Sequence, residues 1–266
     1  MKKLSGFLFL FLILFIGNLP AQEKESSALS MSLNGTTGLY TVPSGNLGWE
    51  GKNKVGIDAG GSYNFFSNNG IAKIGLSLFN WVELSGALDI QPREDDTNNI
   101  DGIIGAKVRL PTKRTAISVG GNLQLLNHRE QFSSAGQIYT VATYSGEFFT
   151  WPAATSLAIG YTIHEGNKDN LDFGMGFDLA LFPSVFGRIV HWIIDFSNFS
   201  YSVQALGDDA WYRGCLNTGL RLDLGAIPAL SKFKLVFDLA LLDIFDHERT
   251  VSMGLVVGVP INKKTK

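Results

Sequence analysis

Residues 171–182 read Leu-Asp-Phe-Gly-Met-Gly-Phe-Asp-Leu-Ala-Leu-Phe, and large apolar side chains alternate there with small or acidic ones. The odd positions from Leu171 to Leu181 are all apolar, whereas the even positions from Asp172 to Ala180 are aspartate, glycine or alanine. A strict period of two predicts a β-strand with two different faces. The second face lacks the Lys, Thr and Glu that a solvated sheet face carries, so it suits a crowded lumen better than open water.

The same alternation returns along most of the chain. It predicts twelve strands, at residues 54–60, 72–78, 82–90, 104–110, 117–125, 137–148, 157–163, 171–182, 199–204, 216–224, 233–241 and 251–259. Pro183 to Asp195 breaks the rule, because Val185, Ile189 and Trp192 recur at steps of four and three. This spacing, with a proline near the start, predicts a short amphipathic helix.

The connections between the predicted strands also alternate. Every second connection is a polar, charged loop, and the connections between them are mostly short. The polar loops are at residues 67–70, 91–99, 127–136, 164–170, 206–212 and 243–248. Long loops on one side and tight turns on the other are typical of outer-membrane barrels, and strands of about 9–11 residues match a tilted bilayer crossing. Aromatic residues stand near strand ends, where interfacial girdles are expected: Phe79, Trp81, Phe149, Trp151, Phe182, Trp211 and Tyr212.

The predicted fold class is therefore all-β: a closed antiparallel transmembrane β-barrel of about 12 strands, with one short amphipathic helix. Closure is required because an open sheet edge in lipid would leave backbone N–H and C=O groups without partners. A soluble sandwich is the alternative, but it would have to bury the apolar outer face of every strand at once.

The chain divides into four parts. Residues 1–21 carry Lys2 and Lys3, an apolar run from Phe7 to Ile16, and Ala21 before a cleavage point, which predicts a secretory signal peptide. A retained anchor helix is the alternative, although the run is short for a bilayer span of about 20 residues. Residues 22–52 form an extended, glycine-rich segment that either packs against or inside the rest or is a flexible leader. Residues 53–261 are the predicted barrel, and residues 262–266 a polar tail.

Over roughly Lys54 to Ile261, the chain resembles bacterial outer-membrane β-barrel proteins of the porin-like kind. The lead Gly-Leu-Tyr-Thr-Val-Pro-Ser, from Gly38 to Ser44, resembles the start of a porin-like barrel family associated with surface polysaccharide. The resemblance implies location in the outer membrane of a Gram-negative-type bacterium. It also implies two partners, outer-membrane lipid and the machinery that inserts barrels.

Composition narrows the function further. The formal net charge is −2, and cleavage of the signal peptide, which contains two lysines and no acidic residue, would make it 20 − 24 = −4. A weakly acidic chain with no basic cluster argues against a nucleic-acid partner. The only cysteine, Cys215, excludes an internal disulfide framework.

Charged residues at inward-facing positions are the candidate site. Eleven are predicted to line the lumen: Asp58, Lys73, Glu83, Lys107, Arg109, Asp172, Asp178, Arg221, Asp223, Lys234 and Asp238. These groups could give a polar lumen that passes or binds small hydrophilic solutes. Alternatively they pair with one another across the strands and close the barrel, since buried charges need partners.

Catalytic and cofactor chemistry find little support in the sequence. None of the four histidines (His128, His164, His191 and His247) stands beside a serine in a catalytic pattern or at metal-ligand spacing from another. The glycine pairs lie on predicted strands and do not open helices, so they are not phosphate-binding loops. We therefore predict no enzyme activity, no cofactor and no metal.

The preferred function is an outer-membrane channel or transporter for small hydrophilic solutes or envelope material, with the solute unknown. The alternative is a structural or assembly protein of the outer membrane with a closed lumen. A third hypothesis, a membrane-embedded hydrolase, would require one of the four histidines to act.

Overall fold

The computed structural model describes residues 28–51, 55–92, 98–112, 115–128, 131–164, 170–199, 213–246 and 249–261. The predicted signal peptide and the polar tail lie outside these ranges, as do the girdle candidates Trp211 and Tyr212. Within the described ranges, no helix is long and apolar enough to cross a membrane.

Two short strands, β1 (Ser30–Met31) and β2 (Thr37–Gly38), pair with each other near the start of the described chain. Twelve further strands form one closed barrel. They are β3 (Val55–Asn64), β4 (Asn69–Leu78), β5 (Val82–Pro92), β6 (Asn98–Arg109), β7 (Thr115–His128), β8 (Gln131–Phe148), β9 (Trp151–His164), β10 (Asn170–Ala180), β11 (Val190–Ser197), β12 (Cys215–Asp223), β13 (Lys234–Leu242) and β14 (Thr250–Pro260).

Each barrel strand pairs antiparallel with its neighbour in sequence, and β14 pairs with β3, for example Val257 opposite Ala59. This last pairing closes the ring, so that no sheet edge is exposed to lipid. The predicted closed twelve-stranded barrel is confirmed. The connections that follow β3, β5, β7, β9, β11 and β13 lie at one end of the barrel, called the loop end below, and the others lie at the opposite end, called the turn end. Length does not separate the two ends, because residues 181–189 and 224–233 join strands at the turn end, whereas only residues 129–130 separate β7 from β8 at the loop end.

The ninth barrel strand is not where the sequence pattern placed it. Only Pro183–Phe186 of the predicted helix is helical (α1), and Val190–Ser197 is a strand paired with both β10 and β12. The helical spacing was misleading because Ile193, an inward position, is apolar and fully buried, which masked the period of two. Of the predicted strand at residues 199–204, Phe199 lies outside any strand, and the rest lies outside the described residues.

The predicted polar loop at residues 127–136 is also corrected. β7 continues to His128 and β8 begins at Gln131, with Asn127 opposite Phe132 in the register. Here the strands extend with largely polar residues, so the apolar alternation that marked the lipid-facing parts is lost. The remaining short elements are two 3₁₀ turns at the turn end, Leu224–Ala226 and Pro228–Leu230.

The outer face of the barrel is apolar. Met175, at the middle of β10, is 54% exposed, and Ile104 on β6 is 63% exposed. Aromatic side chains gather at the turn end, where Trp151 packs on Phe182 with ring centroids 4.8 Å apart and Phe149 is 89% exposed. An apolar band bordered by aromatic residues is the surface that a bilayer covers.

Candidate functional site in the barrel lumen

The structure places all eleven predicted residues on inward positions of the strands. Eight are buried: Asp58, Lys73, Glu83, Lys107, Asp172, Asp178, Arg221 and Asp238. Arg109, Asp223 and Lys234 are half-buried. The alternation along single strands did not indicate what these side chains contact.

Nine of the eleven, namely all except Asp172 and Asp223, contact the N-terminal segment, residues 28–50, which lies inside the barrel and is called the plug segment here. Almost all of it is buried, with Val42 and Leu47 fully inaccessible. Its contacts run from Arg109 at the turn end to Ser197 near the loop end. The two sequence-based possibilities for this segment were an extended piece packed on or in the barrel and a flexible leader; residues 28–50 adopt the first.

Lys107 is the most heavily bonded wall cation. Its Nζ donates to the backbone carbonyl oxygens of Thr37, Ser44 and Asn46 at 3.3, 3.0 and 2.8 Å. Glu83 lies 3.3 Å from the same Nζ, on the neighbouring strand β5. One buried ammonium thus joins three points of the plug segment to a wall carboxylate.

Glu83 also binds the plug segment directly. Its Oε1 accepts the Thr36 hydroxyl at 2.8 Å and the Thr37 amide at 2.7 Å, and its Oε2 accepts the Gly48 amide at 2.9 Å. Charge-assisted bonds of this kind are roughly twice as strong as neutral ones. The pair of Glu83 and Lys107 therefore fixes the β1–β2 region and the later part of the plug segment to the same place on the wall.

Arg221 on β12 holds the other side. Its Nη1 donates to the carbonyl oxygens of Ala28 and Gly38, both at 3.0 Å, and its Nε donates to Asp238 at 2.7 Å. The guanidinium also lies over the ring of Tyr40, 5.8 Å from its centroid. Asp238 in turn accepts the hydroxyl of Ser30 at 3.1 Å.

Asp195 is a site residue that the sequence reasoning missed. It accepts the backbone amides of Thr41 and Val42 at 2.8 and 3.3 Å and the Asn217 side-chain amide at 2.7 Å. It was overlooked because Pro183 to Asp195 was interpreted as a helix. The inward parity of His191, Ile193 and Asp195 was the signal that could have found it.

His191 is buried beside Asp178. Its Nδ1 lies 2.6 Å from Asp178 Oδ1 and its Nε2 lies 2.8 Å from the Arg188 carbonyl oxygen. Asp178 Oδ2 accepts the Ala28 amide at 3.0 Å, so this pair also touches the start of the plug segment. The side chains of His128 and His164, and all of His247, lie outside the described residues.

At the turn end, Trp49 and its neighbours are bound to the wall. The indole Nε1 donates to Asp58 Oδ1 at 2.8 Å, and Lys234 donates to Asp58 Oδ2 and to the Gly48 carbonyl oxygen, both at 2.7 Å. Lys234 Nζ also lies 4.9 Å from the centroid of the Trp49 ring. Next to them, Glu50 of the plug segment forms an ion pair with Arg109.

Wall glycines make room for the plug segment. A Cβ at Gly176 would lie 2.2 Å from Leu39 Cδ1, so the leucine occupies the space that any side chain there would need. On the plug side, Gly35 has φ +85, and a Cβ there would lie 2.4 Å from the carbonyl oxygen of Gly86. The inner strand face, which the sequence pattern showed to be rich in small residues, is thus the surface on which the plug segment packs.

The loop end of the lumen carries carboxylates. Asp89 on β5 and Asp101 on β6 stand directly opposite each other and are both buried. Asp89 accepts the Asn69 amide at 2.7 Å, and Asp101 accepts the Asn127 backbone amide at 2.8 Å. Asp172 on β10 accepts from Gln137 at 3.0 Å. Among the described residues, no group of three His, Cys, Asp or Glu side chains could hold a metal ion.

Comparisons with known proteins bear on the architecture alone. No family model matches the sequence, and no curated protein matches it significantly. Among solved structures, a KdgM porin in complex with disordered oligogalacturonate is 9% identical, with a TM-score of 0.49 over 78% of this chain and 100% of that one. Omp33 of Acinetobacter baumannii is also 9% identical, with a TM-score of 0.43 over 78% of this chain and 98% of that one.

The fold and its surface define the class of protein. A closed antiparallel barrel whose outer face is apolar and whose inner face is charged is a porin-like outer-membrane β-barrel. The chain is accordingly a protein of the bacterial outer membrane.

Proposed function

We propose that this barrel is an outer-membrane channel for small hydrophilic solutes or envelope material, and that the plug segment closes it at rest. One observation carries the proposal: the wall behind the plug segment is charged and polar. A barrel that is permanently filled would not need charged groups there, because an apolar core would keep it stable. Lys107, Glu83, Arg221 and Asp195 all belong to this wall and are all buried.

Three of the wall cations would keep a wall carboxylate as partner if the plug segment left. Lys107 lies 3.3 Å from Glu83, Arg221 2.7 Å from Asp238, and Lys234 2.7 Å from Asp58, and all of these carboxylates are on the wall. Release of the plug segment would therefore expose these three ion pairs to water intact. Arg109 would lose its ion pair with Glu50, and Lys73 would lose the Met31 carbonyl oxygen at 3.4 Å. The resulting lumen would be hydrophilic, as a solute channel requires.

A structural or assembly protein with a permanently closed lumen is the second candidate. The density of the plug contacts favours it, because Glu83 alone accepts three hydrogen bonds from the plug segment. His191 is the one of the four histidines whose side chain the structure describes, and both of its ring nitrogens are within hydrogen-bond distance of a protein oxygen. We propose no catalytic role for it.

Tethering the plug segment to the wall separates the two candidates. The hydroxyl oxygens of Ser44 and Thr143 lie 3.2 Å apart, so Ser44→Cys with Thr143→Cys, in a Cys215→Ser background, should form a disulfide between them. Conductance of the refolded chain in a planar bilayer is then recorded with and without reductant. A channel closed by the plug segment should stay silent when oxidised and show discrete steps when reduced.

Deletion of residues 30–45 provides the complementary measurement. If the plug segment is the gate, the shortened chain should conduct continuously while still migrating as a heat-modifiable barrel on gels. A barrel that stays heat-modifiable but never conducts, either reduced or shortened, would favour the structural role.

A further inference from the structure

We infer that the open lumen prefers cations and excludes anionic solutes, an inference that rests on the channel function proposed above. It follows from the number and the placement of the charged side chains on the inner wall. Neither feature depends on the identity of the transported solute.

Carboxylates outnumber cations on the inner wall. Among the described residues, nine carboxylates and five Lys or Arg side chains stand at inward positions of the strands and are buried or half-buried. The carboxylates are Asp58, Glu83, Asp89, Asp101, Asp172, Asp178, Asp195, Asp223 and Asp238, and the cations are Lys73, Lys107, Arg109, Arg221 and Lys234.

The five strand cations lie at the middle of the barrel or toward the turn end, whereas the strand carboxylates occupy both halves. Lys107 and Arg109 are at the end of β6, Arg221 is near the end of β12, and Lys234 starts β13, so these cations lie toward the turn end. Lys73 lies at the middle of β4. Asp89, Asp101, Asp172 and Asp195 all lie in the half nearer the loop end. A solute entering from the loop end would meet carboxylates first.

The plug segment does not balance this excess with cations of its own. Between residues 28 and 51 the only ionisable side chains are Tyr40 and the acidic Glu50. It satisfies the wall carboxylates with neutral donors instead, such as the Thr41 amide at Asp195 and the Ala28 amide at Asp178. Removal of residues 30–45, which contain no Asp, Glu, Lys or Arg, would therefore uncover the wall carboxylates without removing any charged side chain.

The excess of inward carboxylates sets the sign of the electric field inside an open lumen. A narrow lumen with low-dielectric walls concentrates the field of such charges and raises the local concentration of counter-ions by about tenfold or more. Rings of Asp and Glu select cations in channels for this reason.

The test is the reversal potential of the chain lacking residues 30–45, measured in a planar bilayer across a KCl gradient. We expect K⁺ to permeate about tenfold more readily than Cl⁻. Asp101→Asn with Asp172→Asn should lower that ratio severalfold, since these carboxylates lie in the loop-end half. Glu147→Gln, which removes an exposed carboxylate one residue from the turn end of β8, is the matched control and should leave the ratio nearly unchanged.

Gly176→Leu serves as a second open form, because it should displace the plug segment through Leu39 without changing any charge. Open channels that favour Cl⁻, or that show no preference, would overturn the inference while leaving the proposed channel intact. Heat-modifiable barrels that never conduct, in either open form, would overturn both.

Discussion

Substitution of Lys107 by methionine should release the plug segment. The ammonium is 1% exposed and lies within 3.3 Å of three plug carbonyl oxygens and of Glu83. Methionine fills most of the same volume but supplies no donor. The change therefore leaves a buried carboxylate and three carbonyl groups without their shared partner.

The magnitude follows from the buried pair. Removing one member of a buried ion pair destabilises a protein by about 3–5 kcal/mol, because the other charge is left uncompensated. Release of the plug segment lets water reach Glu83, so the loss should fall on plug docking and not on the barrel. At about 1.4 kcal/mol per factor of ten, the ratio of open to closed lumens should rise by about two to three and a half orders of magnitude.

The assay combines channel open probability in planar bilayers with guanidinium unfolding in vesicles. Lys107→Met should raise open probability strongly while moving the unfolding midpoint of the barrel little. Lys232→Met is the matched control, because Lys232 is exposed at the turn end. Adding Glu83→Gln removes the stranded charge, so the double variant should lose less than the sum of the two single losses. Strict additivity, or an unchanged open probability in Lys107→Met, would refute this account of how the plug segment is held.

Three further predictions concern the two faces of the wall. Met175→Arg places a cation at mid-strand on the lipid face and should destabilise the barrel by about 2–4 kcal/mol in vesicle unfolding experiments; an unchanged midpoint would contradict the facing assignment. Gly176→Ala should open the channel because its methyl group meets Leu39, and Leu39→Ala in the same chain should restore closure, unless the two residues are not in contact. Trp49→Phe removes a hydrogen bond to Asp58 and should weaken plug docking by about 1.5–3 kcal/mol, seen as higher open probability; equal open probability in the two chains would count against that bond.

The errors in the sequence interpretation have physical causes. Alternation identified strands wherever the lipid-facing side was apolar and the inner side was small or charged, as at Met175 and Gly176. It failed in β11, where the inward Ile193 is apolar because it packs inside the filled lumen. It failed again in β7 and β8, where the strands extend with polar residues to His128 and from Gln131.

The sequence by itself determined the barrel class, the count of twelve strands and the charged inner positions. All of these follow from a period of two and from the need of lipid for an apolar face. Only the tertiary structure decided what fills the lumen. Lys107 meets Thr37 across 70 residues of chain, and Arg221 meets Ala28 across 193. Contacts at such separations depend on ring closure and on the path of residues 28–50 through the barrel, and no local pattern encodes either.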